Sequence, residues 1–135
     1  MAEDRGVVVI DGANVAYEER SAGGKPKLSN LLNVRNELEG RGFEAVIIVD
    51  ASLNYDIDDQ KQLETLIQSQ QVRQVPAGTD ADYFIIQLAD QFNARVVTND
   101  RYKDYLDDYP WITDRRLPYM IVKGEVVLYE EEGRD

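Results

Sequence analysis

Val7-Val8-Val9-Ile10 is a run of four β-branched apolar residues that stops at Asp11-Gly12. A run without polar alternation reads as a strand buried on both faces, the middle strand of a parallel sheet. Such a strand needs helices above and below it, which restricts the chain to α/β architectures. Its carboxyl end carries Asp11 to the edge of the sheet where ligand crevices form. Gly12 has no Cβ to obstruct a sharp turn or a close approach. Asn14 can orient a carboxylate or a phosphate without adding charge. An Asp-Gly pair after a strand also serves as a plain cap for the next segment. The meaning of Asp11 therefore depends on whether the arrangement recurs.

It does recur. Leu28, Leu31, Leu32 and Leu38 follow helical spacing up to Gly40-Arg41-Gly42, and Ala45 to Asp50 is a second buried strand ending in Asp. Asp56, Asp58 and Asp59 open the next helix, whose apolar stripe is Leu63, Leu66 and Ile67; Val72 to Val75 is a third strand. Thr79-Asp80-Ala81-Asp82 opens an amphipathic helix with Phe84, Ile85, Leu88, Ala89 and Phe92 on one face, and Arg95 to Thr98 is a fourth strand stopped by Asn99-Asp100. Residues 101 to 108 read as a short helix. Leu117 to Leu128 reads as two strands around Lys123-Gly124, a hairpin expected to extend the sheet. The alternation predicts an α/β fold: a mostly parallel central sheet, helices on both faces and a C-terminal hairpin. The 135 residues fit one domain, 1–135, with one core.

The chain has no Cys and no His, which removes thiolate and imidazole chemistry, Ser-His-Asp triads and most zinc sites. An enzyme of this composition rests on carboxylates and on hard cations held by oxygen. The absence of Cys fits a cytoplasmic protein. The charged start Met1 to Arg5 is not expected to act as a signal peptide, and no stretch is long enough to span a bilayer, so no membrane partner is expected. A net charge of −11 argues against indiscriminate nucleic-acid binding, unless basic residues gather locally or the surface is adapted to high salt.

Carboxylates gather at the predicted carboxyl edge: Asp11 after the first strand, Asp80 and Asp82 after the third, Asp100 after the fourth. Asp104, four residues beyond Asp100, faces the same side if the segment is helical. Asp50 ends the second strand, further along the edge. Converging carboxylates repel one another unless cations intervene, and Mg²⁺ or Mn²⁺ takes such ligands in octahedral geometry. As single residues, Asp80 and Asp82 also read as ordinary helix-start acids and Asp100 as a turn residue.

Val8 to Ala16, Asp82 to Ala89, Val96 to Asp104 and Met120 to Val127 together resemble, in order and over nearly the whole chain, the motifs of NYN-domain nucleases, the Regnase-type branch of the PIN-like superfamily. The resemblance implies a PIN-like three-layer sandwich and a metal-dependent endoribonuclease that leaves 5′-phosphate ends. It implies that Asp11, Asp82, Asp100 and Asp104 hold Mg²⁺ or Mn²⁺, and that Asn14 supports Asp11 or the scissile phosphate. The family often has adjacent acids at the second motif. Here Ala81 separates Asp80 from Asp82, and the flanking apolar pattern selects Asp82, leaving Asp80 the weaker metal ligand. Animal relatives often carry a Cys/His zinc finger beside the domain; this chain has neither residue. Selection of RNA then falls to the domain, to a homo-oligomer or to a partner.

Arg20, Lys25, Lys27, Arg101 and Lys103 lie in loops beside the carboxylate edge and are the expected phosphate contacts, joined by Arg115 and Arg116. Tyr17, Tyr102, Tyr105, Tyr109 and Trp111 can stack on unpaired bases or pack in the core. The expected partner is therefore RNA, single-stranded or in loops. Two other classes of reading compete, a different phosphoryl-transfer protein and a module that is not an enzyme. A phosphatase of the haloacid-dehalogenase type normally has a second Asp where this chain has Ala13, and a receiver domain needs a differently placed Asp and Lys. A PIN-like RNA-binding or protein-interaction module with an idle centre fits the fold, but all the core carboxylates are present.

Overall fold

In a computed structural model, described here for residues 4–130, five parallel strands form the central sheet. They are β1 (Val7–Asp11), β2 (Glu44–Val49), β3 (Val72–Gln74), β4 (Arg95–Val97) and β5 (Arg116–Leu117), in the order β3-β2-β1-β4-β5. The chain builds outward from β1 through β2 to β3, then crosses back to place β4 and β5 on the other side. The strand order thus reverses beside β1, and in open α/β sheets the crevice outside the carboxyl ends at such a point is where ligands bind.

β1 is buried on both sides because its alternate residues enter two cores. Val8 and Ile10 pack with α2 (Leu28–Gly40), α4 (Gln60–Gln68) and the C-terminal hairpin, while Val9 packs with α5 (Ala81–Phe92), Tyr102 and Ile112. Asp11 continues the odd-numbered side, so its carboxylate turns toward Tyr102 rather than toward α2. The result is the expected three-layer α/β arrangement.

Two short helices are not visible in the apolar pattern: α1 (Gly12–Ala16) and α3 (Ala51–Asp56), each following directly on a strand. Gly12 is required where α1 leaves β1, because a Cβ there would stand 2.4 Å from the Ile48 carbonyl oxygen. The close approach that Gly12 permits is thus to β2, not to a ligand. The buried Asn30 on α2 donates to the carbonyls of Val15, Ala16 and Glu19 at 3.3, 3.0 and 2.8 Å, satisfying the end of α1.

Two expectations need correction. The hairpin β6 (Tyr119–Val122) and β7 (Glu125–Leu128) does not extend the main sheet; it forms its own two-stranded sheet, and the two-residue strand β5 extends the main one. Lys123 and Gly124 both have positive φ, 51° and 81°, as a tight two-residue hairpin turn requires. Nor are residues 101 to 108 one helix. Tyr102 is left-handed at φ 51°, and a single 3-10 turn, Lys103–Tyr105, follows before α6 (Ile112–Arg115).

Candidate active site

Asp11 stands at the carboxyl end of β1, 5% exposed, and both its oxygens are engaged. Oδ2 accepts the Tyr102 hydroxyl at 2.6 Å and the Thr98 hydroxyl at 2.9 Å; Oδ1 accepts only the Asn14 backbone N–H, at 3.4 Å. Burial raises the Asp11 pKa, the Tyr102 and Thr98 hydrogen bonds oppose that rise, and the charge of Asp100 adds to it. Oδ2 is thus pinned, and Oδ1 is the oxygen with coordination capacity to spare.

The segment after β4 is folded around these contacts. Thr98 Oγ1 accepts the Asp100 N–H at 3.1 Å, and Asp100 Oδ1 accepts the Tyr102 N–H at 2.8 Å. The second bond, from an Asp to the backbone two residues on, makes a local turn that accommodates the left-handed Tyr102. That conformation carries the Tyr102 ring inward to Asp11, and it ends the helical register that would have put Asp104 above Asp100. Asn99 pairs with both backbone groups of Tyr119, at 3.0 and 3.2 Å, fastening the segment to the hairpin.

Asn14 does not bond to Asp11 through its side chain. Its Oδ1 accepts from the Tyr119 hydroxyl at 2.8 Å and the Asn99 N–H at 3.0 Å, which fixes the amide and leaves its NH₂ without a protein partner among the described residues. Two donors on one oxygen orient that NH₂ as a ready donor to an anionic group.

Asp82 sits in the first turn of α5, half-buried. Its carboxylate accepts no hydrogen bond from the described residues, and its pKa is pushed up to about 6. Burial is the largest cause, followed by the charges of Asp11, Asp100, Asp80 and Asp50. The fold therefore brings Asp11, Asp82 and Asp100 into one field, as the strand-end reading requires. Asp80 is the N-cap of α5, accepting the Asp82 N–H at 3.0 Å and the Tyr105 hydroxyl, which raises the Tyr105 pKa to about 12. Asp104 is exposed one turn outward and bears on Tyr105 instead of on Asp82.

An all-oxygen set of crowded acids, one of them without a donor, fits a hard divalent cation. Among the described residues no three carboxylates stand close enough to share an ion as placed. Mg²⁺ asks for less, because it keeps several waters and is held through one or two carboxylates.

The basic residues divide. Arg116 spends its guanidinium on the carbonyls of Asp100 and Asn99, at 2.7 and 3.4 Å, and Arg115 bonds to the Ala89 carbonyl and stacks on Trp111. Lys27 is paired with Glu19 at 3.2 Å. Arg20 lies over the Tyr17 ring and reaches the Gly24 carbonyl. Lys25, Arg101 and Lys103 are exposed and have no ion pair among the described residues. Of the candidate stacking residues, Tyr102 is buried against Asp11, Tyr105 holds Asp80, and Tyr109 meets Trp111 edge to face at 6.2 Å. Tyr17 flanks an open cleft. The roles of Thr98 and Tyr102 beside Asp11, and of Asn99 and Tyr119 beside Asn14, are not legible in the sequence, where Tyr102 reads only as a stacking or core aromatic.

No curated protein matches the chain. Among solved structures it is similar to nuclear proteinaceous RNase P 2 (PRORP2) from A. thaliana, with a TM-score of 0.71 and 23% identity over 91% of this chain. A second structure, described as Arabidopsis thaliana nuclear protein-only RNase P 2, gives a TM-score of 0.67 and 23% identity over 90% of this chain. The chain spans 29% of the length of each. At that identity the likeness speaks for the fold. The model of the Zc3h12a-like ribonuclease NYN domain matches residues 4–135, almost the whole sequence, and the chain belongs to that family.

Proposed function

We propose that this ribonuclease domain is an endonuclease that hydrolyses phosphodiester bonds in unpaired RNA, with Mg²⁺ or Mn²⁺ held by Asp11 and Asp82 and reached by Asp100. The observation that carries the reading is Asp82: a half-buried carboxylate with no hydrogen-bond donor, in the field of Asp11 and Asp100. Such a group is costly unless it takes a proton or a cation, and crowding of this kind marks functional sites. A divalent ion bound there activates water and offsets the charge that develops on the phosphate.

The chain's own groups have separable roles. Tyr102 and Thr98 hold Asp11 Oδ2, so Oδ1 faces the crevice in a fixed direction. The Asn14 NH₂, whose orientation Tyr119 and Asn99 fix, would donate to a non-bridging phosphate oxygen. Without the ion, burial and the surrounding acids let Asp82 keep a proton up to about pH 6, and binding of the cation would release it. Lys25, Arg101 and Lys103 are the cations available to neighbouring phosphates; Asp104 and Asp80 stand outside the proposed ligand pair. Unpaired RNA suits the small basic surface, since a duplex presents more phosphate charge to an acidic chain.

The test is cleavage of a labelled hairpin with single-stranded flanks, in EDTA, Mg²⁺ and Mn²⁺. Internal cuts that require the ion and vanish in Asp82→Asn are expected. Cleavage that persists in EDTA contradicts the metal reading, and trimming from the ends alone contradicts the endonuclease.

A further inference from the structure

A concavity of about 370 Å³ opens where α1 and α3 end, and none of Asp11, Asp82 and Asp100 lines it. Tyr17, Arg20, Lys25, Pro26, Tyr55 and Asp56 line it. We propose that this cleft is a subsite for one unpaired nucleotide of the RNA strand, its base stacked on tyrosine and its phosphate facing Lys25 and Arg20. The proposal rests on the RNA-cleaving reading above and adds the place where the strand beside the cut is held.

Tyr55 carries the inference furthest. It sits in the last turn of α3 with 81% of its surface exposed, by far the most exposed aromatic side chain among the described residues. One exposed ring is unremarkable by itself. This one shares a cleft with a second tyrosine and two cations, the pairing of stacking surface and positive charge that binds single strands. The opposite wall is already ordered. The Tyr17 hydroxyl donates to Asp56 at 3.1 Å, and the Arg20 guanidinium lies 5.0 Å above the Tyr17 ring while bonding to the Gly24 carbonyl at 3.3 Å. Planar guanidinium and aromatic ring are both surfaces on which unpaired bases stack.

The loop beneath them is firmly tied. Arg20 and Pro26 form an isolated antiparallel bridge, and Asn30 holds the Glu19 carbonyl at 2.8 Å. The Glu19 carboxylate in turn takes Lys27 and the backbone N–H groups of Lys123 and Gly124. A binding surface fixed in advance loses little entropy when it is occupied.

The ligand class follows from chemistry and position. A free anion is a poor occupant, because Asp56 lines the cleft. A nucleotide places a neutral base against the acids and tyrosines and its single phosphate against the cations. The cleft volume lies within the range of small-ligand sites. Continuity with the crevice runs through the two short helices that leave the paired strands β1 and β2: Asp11 caps α1, at whose end Tyr17 stands, and Asp50 caps α3, which carries Tyr55, through the Leu53 N–H at 2.8 Å. In the proposed arrangement a strand whose cleaved phosphate meets Asp11 and Asp82 continues along the same sheet edge to this cleft.

Fluorescence anisotropy of a labelled oligoadenylate hexamer, in EDTA and low salt, separates the outcomes. Tyr55→Ala is expected to weaken binding about tenfold, the loss of one base–aromatic stack, while Tyr55→Phe stays within about twofold. The exposed position of Tyr55 leaves folding untouched, which circular dichroism checks. Arg73→Ala, on the exposed edge strand β3, serves as a control for general charge and is expected to change little. Equal affinity for wild type and Tyr55→Ala, or no binding of the oligonucleotide by wild type, overturns the subsite. If binding depends on Tyr55 but Mn²⁺ elicits no cleavage, the subsite stands and the nuclease mechanism falls. Cleavage by wild type with no effect of Tyr55→Ala gives the reverse.

Discussion

Asp11 and Asp82 lie in one crevice and within one another's field, yet the chain surrounds them in opposite ways. Asp11 is buried and held by two hydroxyls and a backbone N–H; Asp82 is half-buried and meets chiefly other acids. The inner wall behaves like a prepared ligand whose orientation is set before any cation arrives. The outer lip behaves like a group waiting for a charge. On the proposed reading such a site separates positioning from affinity: the hydrogen bonds of Asp11 would fix the direction of a bound cation, and the unpaired charge of Asp82 would supply the attraction. Each half can be altered alone.

Removing the inner carboxylate is expected to have the largest effect. Asp11→Asn should lower single-turnover RNA cleavage in Mn²⁺ by about a thousandfold, the scale of losing one preorganised electrostatic group. The same change removes a buried charge, so the metal-free variant should melt higher than wild type and lose the stabilisation that Mn²⁺ gives. Cleavage within tenfold of wild type would take Asp11 out of the mechanism. Tyr102→Phe comes next. It keeps the ring and deletes the donor at 2.6 Å, so Mn²⁺ affinity measured by calorimetry should fall about tenfold while the fold persists. An unchanged dissociation constant would mean that Asp11 needs no such orientation.

The outer lip is expected to respond to pH. The Asp82 pKa stands at about 6 in the folded chain against an ordinary value of 3.8. The native state therefore binds this proton more tightly than the unfolded one, and stability without metal is lost as pH rises through that window. Mn²⁺ takes the place of the proton, so its affinity should climb steeply over the same range. Asp82→Asn should flatten both dependences, as followed by thermal melts with and without the ion. A wild-type stability that rises with pH from 4 to 6 in EDTA would contradict the assignment.

Strand ends were the legible part of this site. Val7 to Ile10 announces a doubly buried strand, and Asp11, Asp82 and Asp100 follow from where strands stop and the next helix begins. Asp104 shows the limit. Spacing by four predicts a shared helix face, but Asp100 captures the Tyr102 N–H and turns that residue left-handed, a local bond that periodicity does not register. Tyr102 offers the same lesson from the other side: an aromatic between two Asp residues reads equally as a surface for bases, and only the fold aims it at Asp11. Arg116 was legible as charge but not as structure. Its two-residue strand is too short to leave a pattern, and the carbonyls it holds lie some sixteen residues upstream.

Lys103 and Arg116 supply the finest division of the two regions, because both are cations near the crevice and only one is free. Lys103 is exposed and unpaired among the described residues, whereas Arg116 ties down the Asn99 and Asp100 carbonyls. Lys103→Ala should weaken oligonucleotide binding by a small factor, about threefold, and reduce the slope of log affinity against log salt by about 0.7, one phosphate contact on a single strand. Its melting temperature should not move. Arg116→Ala should leave the salt slope alone and lower the melting temperature, since two backbone acceptors lose their donor. Because the freed segment carries Asp100, that variant should also bind Mn²⁺ less tightly, an effect Lys103→Ala lacks. If Arg116→Ala instead changes the salt slope as Lys103→Ala does, its guanidinium leaves the carbonyls for RNA, and the inner wall is less firmly built than its hydrogen bonds imply.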